Sequence, residues 1–309
     1  MVGAGVGGLT ATALLAKRGL KVLLIEQHYI PGGCTTAIRR KGINFDVGSE
    51  LLYGWGERGY NIHRFVMNEL EEEIDMIPHE FVYRMFILGK ELTFWRDFDR
   101  FFSELANLFP NQKNELRAMF EEFYQIFNSI IKEDMMPMPP TEVPMKESLK
   151  TFLENPLGML KIGLLMFKNS KQLVGKYITD PQVINFLDII TATFTSCDLA
   201  ETPAVLSATM FVDNHKGGAC YASGSPQMLP NKLERSIERY GGQILYRHLV
   251  DEILISKGKA YGVRLAEGTE IMADRVVSNA TVWNLYRKLV KPEHIRPRRM
   301  KWAQDFDPT

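Results

Sequence analysis

An α/β fold of the Rossmann type, with an α+β segment inserted into it, is predicted for this chain from three observations. Gly3-Ala-Gly5-Val-Gly7-Gly8 fits the pattern G-x-G-x-x-G. A helix of small residues follows over 9–18, closes at Gly19 and leads into a strand over 21–25 that ends on Glu26. The pattern then breaks off near residue 60 and resumes as short strands beyond residue 243.

Each part of the opening stretch has a physical reason. Gly3 permits a tight turn, Gly5 lets the backbone approach a pyrophosphate, and Gly8 lets helix and strand pack closely, with Gly7 in the same loop. The helix N-terminus offers free N–H groups and the positive end of a dipole to phosphate oxygens. Glu26 stands about 20 residues on, where a carboxylate accepts a hydrogen bond from a ribose hydroxyl. A lone glycine pattern is a weak signal, whereas the pattern with helix, strand and terminal acid in register is a strong one. The strand before Gly3 is short, with only Met1 and Val2 ahead of it. Residues 2–16 are small and apolar, but Lys17 and Arg18 follow the run instead of preceding it, which argues against a signal peptide.

Composition narrows the class. A chain of 309 residues is long enough for two domains. Its formal net charge of zero gives no global attraction to nucleic acid. Cys34, Cys197 and Cys220 lie far apart without C-x-x-C spacing, so neither a disulfide framework nor a metal site is expected, and a reducing, cytoplasmic compartment suits them. No run of about 18 apolar residues is present, so a spanning helix is not expected.

The middle of the chain reads as a separate body. Residues 81–88, a turn at Gly89-Lys90 and residues 91–95 form a hairpin pattern. Asp97 is placed to cap a helix burying Phe101, Phe102, Leu105 and Phe109, and a second helix from Asn111 repeats Leu116, Met119, Phe120, Phe123, Phe127 and Ile130 at helical spacing. This aromatic stripe is read as core, with the wall of an apolar tunnel as the functional alternative. The acidic run over 69–75 is read as a solvated face, and Asp134-Met-Met-Pro-Met-Pro-Pro140 as an exposed loop. For residues 157–167, rich in Leu and Met, base rates favour a core helix; the alternative is an apolar surface that meets a bilayer. Thr202-Pro203 starts a helix to about residue 212, as N-cap and first helical position. A further helix around Leu229, Leu233 and Ile237 ends at Gly241-Gly242, four short strands follow over 243–272, and residues 274–281 return to the first sheet as a strand.

Several segments carry a family resemblance. Glu26-x5-Gly32-Gly33 after the βαβ pattern resembles the extended fingerprint of FAD-dependent oxidoreductases of the glutathione-reductase and amine-oxidase type, in which the Gly-Gly turn approaches the FAD diphosphate. The stretch reaching Gly48 and Ser49 resembles the one that passes beside the flavin. Where many members place Arg after Gly-Gly, this chain has Cys34, read as a small packed residue; Arg39, Arg40 and His28 are read as surface residues. Residues 176–181, 258–265 and 276–283 resemble segments of the carotenoid cis–trans isomerase and phytoene desaturase family, to which retinol saturases are related. In that family the strand holding Val250 passes the adenine. One departure stands at Tyr221-Ala-Ser-Gly224-Ser225, where many relatives have Tyr-Pro-x-Gly-Gly.

The resemblance covers nearly the whole chain and sets the expectations. Residues 1–60 and 214–290 form a discontinuous FAD-binding domain, 61–213 a substrate-binding or lid domain, and 291–309 the start of a further segment. The cofactor is FAD, held by Gly3, Gly5, Gly7, Gly8, Glu26, Gly32, Gly33, Gly48, Ser49 and Val250. The substrate is a lipophilic polyene, isomerised or desaturated, with peripheral membrane contact, no nucleic-acid partner and no metal. The flavin carries the chemistry, so no catalytic side chain is assigned; His215 and Tyr221, in the segment approaching the flavin, are read as structural. Family members continue past this point, which implies a chain shortened at both ends and weak FAD binding. A retinoid saturase, an amine oxidase, an inactive remnant and, on the glycine motif alone, an NAD-dependent dehydrogenase are the competing readings.

Overall fold

The computed structural model describes residues 1–56, 61–87, 89–131 and 143–305. In chain order the elements run α1 (Val6–Lys17), β1 (Leu23–Ile25), β2 (Ala37–Arg40), β3 (Ile43–Asp46), α2 (Ile62–Leu70), β4 (Met76–Pro78), β5 (Phe81–Ile87) and β6 (Lys90–Trp95). Helices α3 (Phe98–Leu108), α4 (Lys113–Ile130), α5 (Met145–Glu154), α6 (Pro156–Leu165), α7 (Ser170–Val174), α8 (Pro181–Thr195) and α9 (Ala204–Lys216) follow. The last part holds β7 (Cys220–Ala222), α10 (Met228–Arg239), β8 (Gln243–Leu245), β9 (Val250–Ser256), β10 (Lys259–Leu265), β11 (Glu270–Met272) and α11 (Pro297–Asp305). The chain divides into two units, one of residues 1–52, 65–77 and 221–309, the other of residues 53–64 and 78–220.

The first unit is built on parallel pairing. β1 pairs with β8, Leu24 opposite Ile244. Val2 bridges Ile25 on one side and Ser278 on the other, both in parallel sense. Its N–H donates to the Val277 carbonyl at 2.9 Å, and the Gly3 N–H donates to the Ile25 carbonyl at 2.8 Å. The short opening strand is thus the centre of the sheet, and the returning segment meets it at Ser278. Helix α1 buries Leu9, Thr12, Ala13 and Ala16 along one face and packs on α10, which contributes Leu229, Leu233 and Ile237. Small side chains on α1 allow that close approach. β9, β10 and β11 form an antiparallel sheet, and the β9–β10 turn places both Lys257 and Gly258 at positive φ, as tight hairpins require.

The second unit has one aromatic core. β5 and β6 form the expected hairpin, with Phe81 opposite Trp95 and Ile87 opposite Lys90. The Asp97 side chain accepts a hydrogen bond from the Arg100 N–H at 2.8 Å and caps α3. Phe101, Phe102, Leu105, Phe109, Leu116, Met119, Phe120, Phe123 and Phe127 are buried in that core together with Phe94, Phe186 and Phe211. Further helix starts are fixed by Asn155 on α6, by an Asn169–Gln172 capping box on α7 and by Asp180 on α8.

Four expectations are corrected. Glu72, within the acidic run, is buried and pairs with Arg239 at 3.1 Å and Lys232 at 3.5 Å. Helix α6 is not a core helix: Leu165 is its one buried residue, while Leu157, Leu160 and Leu164 are exposed. Thr202 does not cap α9; its hydroxyl lies with Thr195 and the Cys197 carbonyl, Pro203 takes the cap position, and the helix runs to Lys216. Cys34 is exposed instead of packed. The Met- and Pro-rich stretch over 134–140 lies outside the described residues.

Candidate dinucleotide site

The site residues of the first unit converge on the end of the central strand. Gly3 has φ +91°, a conformation that favours glycine. A Cβ on Gly8 would stand 2.1 Å from the Gly3 carbonyl oxygen, so this position must be glycine for helix and strand to meet. Gly5 is the N-cap of α1, and neither a capping side chain nor an acidic residue occupies the first turn. The first N–H groups of a helix have no partner within it, so this end is left to a ligand or to water.

Three other segments close around the loop. Gly5 bridges Gly32 in parallel sense, and the Gly32 N–H donates to the Ala4 carbonyl at 2.8 Å. A Cβ on Gly33 would lie 3.3 Å from the Gly5 Cα. Gly48 and Ser49 pack beside this turn: the Ser49 N–H donates to the Cys34 carbonyl at 3.2 Å, and the Ser49 and Thr35 hydroxyls are 3.1 Å apart. A Cβ on Gly48 would meet the Cys34 carbonyl oxygen at 2.6 Å.

Glu26 is buried at the end of β1. Its Oε2 accepts from the Ala4 N–H at 2.6 Å and its Oε1 from the His28 N–H at 2.8 Å. Each carboxylate oxygen keeps a second lone pair for a further donor. The Glu26 carbonyl accepts from the His248 N–H at 3.0 Å, which brings β9 and its first residue, Val250, alongside. The Val250 side chain is buried in the core beneath the sheet. The glycine cradle, the uncapped helix end and the placed carboxylate fit the diphosphate and ribose of a dinucleotide.

The remaining candidates have other occupations. Tyr221 donates its hydroxyl to Asp46 at 2.8 Å, and burial with that contact pushes its pKa up. His215 belongs to the core of the second unit, stacked on Phe94 at 4.9 Å, with Phe98 and Phe101 each 5.2 Å away. Its Nδ1 donates to the Arg96 carbonyl at 3.2 Å, and burial pulls its pKa down to about 4. At the Tyr221–Ser225 departure, Gly224 has φ +99° and Ser225 itself has φ +151°, so Ser takes a backbone conformation that favours glycine. Among the described residues, no cluster of His, Cys, Asp or Glu is arranged to hold a metal. A residue missed by sequence reasoning is Asn279, whose amide lies over the loop; its signal, a strand returning to the central sheet, gave the segment but not the side chain.

Comparisons with known proteins agree with this architecture. The family of NAD(P)-binding Rossmann-like domains matches residues 1–69. Prolycopene isomerase 2, chloroplastic, from an Oncidium hybrid cultivar is 31% identical over 297 residues, 96% of this chain and 50% of the relative. All-trans-retinol 13,14-reductase from Rattus norvegicus is 28% identical over 96% of this chain and 49% of its own. A 4,4'-diapophytoene desaturase from Methylomonas sp is 25% identical over 94% of this chain and 55% of its own. The chain spans about half the length of the curated relatives it matches. Among solved structures, an oxidoreductase from Methanosarcina mazei shares the fold with a TM-score of 0.71 at 20% identity, over 99% of this chain and 65% of that one. Putrescine oxidase does so with 0.66 at 16%, over 98% and 62%. The Rossmann-type fold is shared with these solved structures, and by sequence the chain is similar, over about half of their length, to prolycopene isomerases, a retinol 13,14-reductase and a diapophytoene desaturase.

Proposed function

We propose that the first unit binds FAD and that the protein acts on a long, apolar isoprenoid polyene, as a carotenoid cis–trans isomerase or a phytoene-type desaturase. The observation that carries this reading is the convergence of Gly3, Gly5, Gly7, Gly8, Glu26, Gly32 and Gly33 at the end of the central strand, in a chain whose relatives are named for carotenoids and retinol. In this reading the glycine loop and the start of α1 hold the diphosphate, Glu26 holds the ribose, the backbone at Val250 pairs with the adenine, and Gly48 and Ser49 flank the flavin. When bound, FAD supplies the redox chemistry, and the protein supplies orientation and an apolar environment. No side chain is assigned a proton transfer, since a polyene offers few groups that need one.

The second unit serves as the substrate domain in this reading. On it, α5 and α6 expose Met145, Leu149, Phe152, Leu153, Leu157, Leu160 and Leu164, with Lys146 and Lys150 exposed beside them. A water-insoluble substrate is taken from a bilayer, and this apolar, basic-edged surface supports peripheral contact with one. No described helix is long and apolar enough to cross a membrane.

A reductive reaction of the retinol type is the second reading, supported by the 28% identity to the rat enzyme. Two measurements separate the cases. The visible spectrum of the purified chain, before and after adding FAD, is expected to show a protein-perturbed flavin band at one equivalent; its absence in folded protein overturns the cofactor assignment. Product analysis then follows with a cis-carotenoid and with retinol, each with and without reductant. Isomerised or desaturated carotenoid is expected, while a saturated retinoid alone favours the second reading.

A further inference from the structure

We infer that Asn279 is a further contact to the dinucleotide diphosphate, its carboxamide holding the phosphates against the glycine loop; the inference rests on the FAD reading above. Val2 has β1 and then β8 on one side and the returning segment at Ser278 on the other, so the chain order reverses at Val2. In open α/β sheets, ligands occupy the crevice beyond the carboxyl ends of the strands at such a reversal. Two chain segments leave the sheet there: the glycine loop after Val2, and Asn279 after Ser278. The Asn279 backbone is fixed by donation of its N–H to the Val2 carbonyl at 2.8 Å.

The side chain then lies over the loop. A Cβ on Gly5 would stand 2.8 Å from Asn279 Nδ2, a Cβ on Gly7 would stand 2.8 Å from its Oδ1, and a Cβ on Gly8 would lie 3.1 Å from its Cβ. Real Cβ atoms do not approach other atoms to 2.8 Å, so a side chain at 5 or 7 would turn the Asn279 amide away from the loop, and glycine at both positions leaves it room to lie there. Rotation of the amide exchanges its two polar atoms without moving the group. Gly7 and Asn279 are both exposed, so this amide stands at an open mouth and is not sealed in the core.

The residue type suits an anion. A carboxamide donates two N–H bonds without bringing negative charge, and the start of α1 carries no acid in its first turn. Diphosphate oxygens lying across the loop would accept from α1 on one side and from Asn279 on the other. An isosteric Asp at this position would repel them.

Titration of the 309-residue chain with FAD, followed by flavin fluorescence, tests this with three variants. Asn279→Ala is expected to weaken FAD binding about tenfold, the loss of one hydrogen bond to a charged group. Asn279→Asp is expected to weaken it about a hundredfold, and Asn279→Ser, which keeps a donor, to stay within about threefold of the parent. Ligand-free melting temperatures report on folding. A packing role gives the opposite order, with the isosteric Asp milder than Ala, and that result overturns the inference, as does an affinity unchanged in all three. If Asp does not fold, an equal loss in Ala and Ser overturns it. Failure of the unsubstituted chain to bind FAD overturns the cofactor reading itself, and this inference with it.

Discussion

The Glu26 carboxylate accepts a 2.6 Å hydrogen bond from the Ala4 N–H, tying the end of β1 to the middle of the glycine loop. Its other oxygen accepts from the His28 N–H at 2.8 Å. The side chain therefore holds the loop in place as well as presenting an acceptor to a ribose. Glu26→Gln turns an acceptor into a donor facing one of these N–H groups. A loss of about 1–3 kcal/mol in unfolding free energy is expected, read from urea denaturation, together with weaker FAD binding. Unchanged stability in the Gln variant would remove the structural half of this role.

Much of that arrangement is legible in the sequence because its determinants are local. The turn at Gly3, the small-residue helix and the acid after the next strand lie within 26 residues, and residue type and spacing set each one. The same holds for the β5–β6 hairpin and the Asp97 cap. What was not legible depends on distant partners. Glu72 looks solvated within an acidic run, and its burial rests on Arg239 and Lys232, far along the chain. Asn279 comes over the glycine loop only through the pairing of Ser278 with Val2. The apolar sequence of α6 reads as core because hydrophobicity alone does not name which face has a partner.

His215 makes the second unit sensitive to mild acid. Burial among Phe94, Phe98 and Phe101 lowers its pKa from 6.5 to about 4, outweighing the Arg96 carbonyl that raises it. Between these values the unfolded chain binds a proton that the folded one does not, so stability falls as pH drops through that window. The loss amounts to about 3 kcal/mol at the low end. Denaturation midpoints measured at intervals from neutrality to pH 4 are expected to decline, and His215→Leu is expected to flatten that decline.

Glu122 anchors α6 to α4. Its carboxylate is buried, 2.8 Å from Lys161, 3.1 Å from Lys176 and within 2.8 Å of the donating Tyr177 hydroxyl. Burial pushes its pKa up, but the Lys161, Tyr177 and Lys176 contacts outweigh this and hold it below the usual carboxylate value. The stabilisation is therefore present near neutrality and is lost as pH falls through the lowered pKa. Glu122→Leu leaves two half-exposed lysines that rehydrate, and a net cost of about 1–3 kcal/mol is expected. Lys176→Met is expected to cost less, since Lys161 and Tyr177 stay in place.

The apolar surface of α5 and α6 gives the bilayer reading its own test. Met145, Leu149, Phe152 and Leu153 recur at helical spacing on α5, and Leu157, Leu160 and Leu164 do so on α6. Lys146, Lys150 and Lys168 are exposed in the same stretch, which favours anionic lipid. Flotation with vesicles of phosphatidylcholine and phosphatidylglycerol is expected to carry the protein, less so as salt rises. Inserting one leucine is worth about 1.5–3 kcal/mol, and about 1.4 kcal/mol is tenfold in partitioning. Leu153→Asp with Leu157→Asp is therefore expected to cut the bound fraction at least about tenfold. Both side chains are exposed, at 70% and 80%, so the melting temperature should hold. Equal flotation of parent and double variant would move the contact off this face, and no flotation of the parent would remove the bilayer from the proposal altogether.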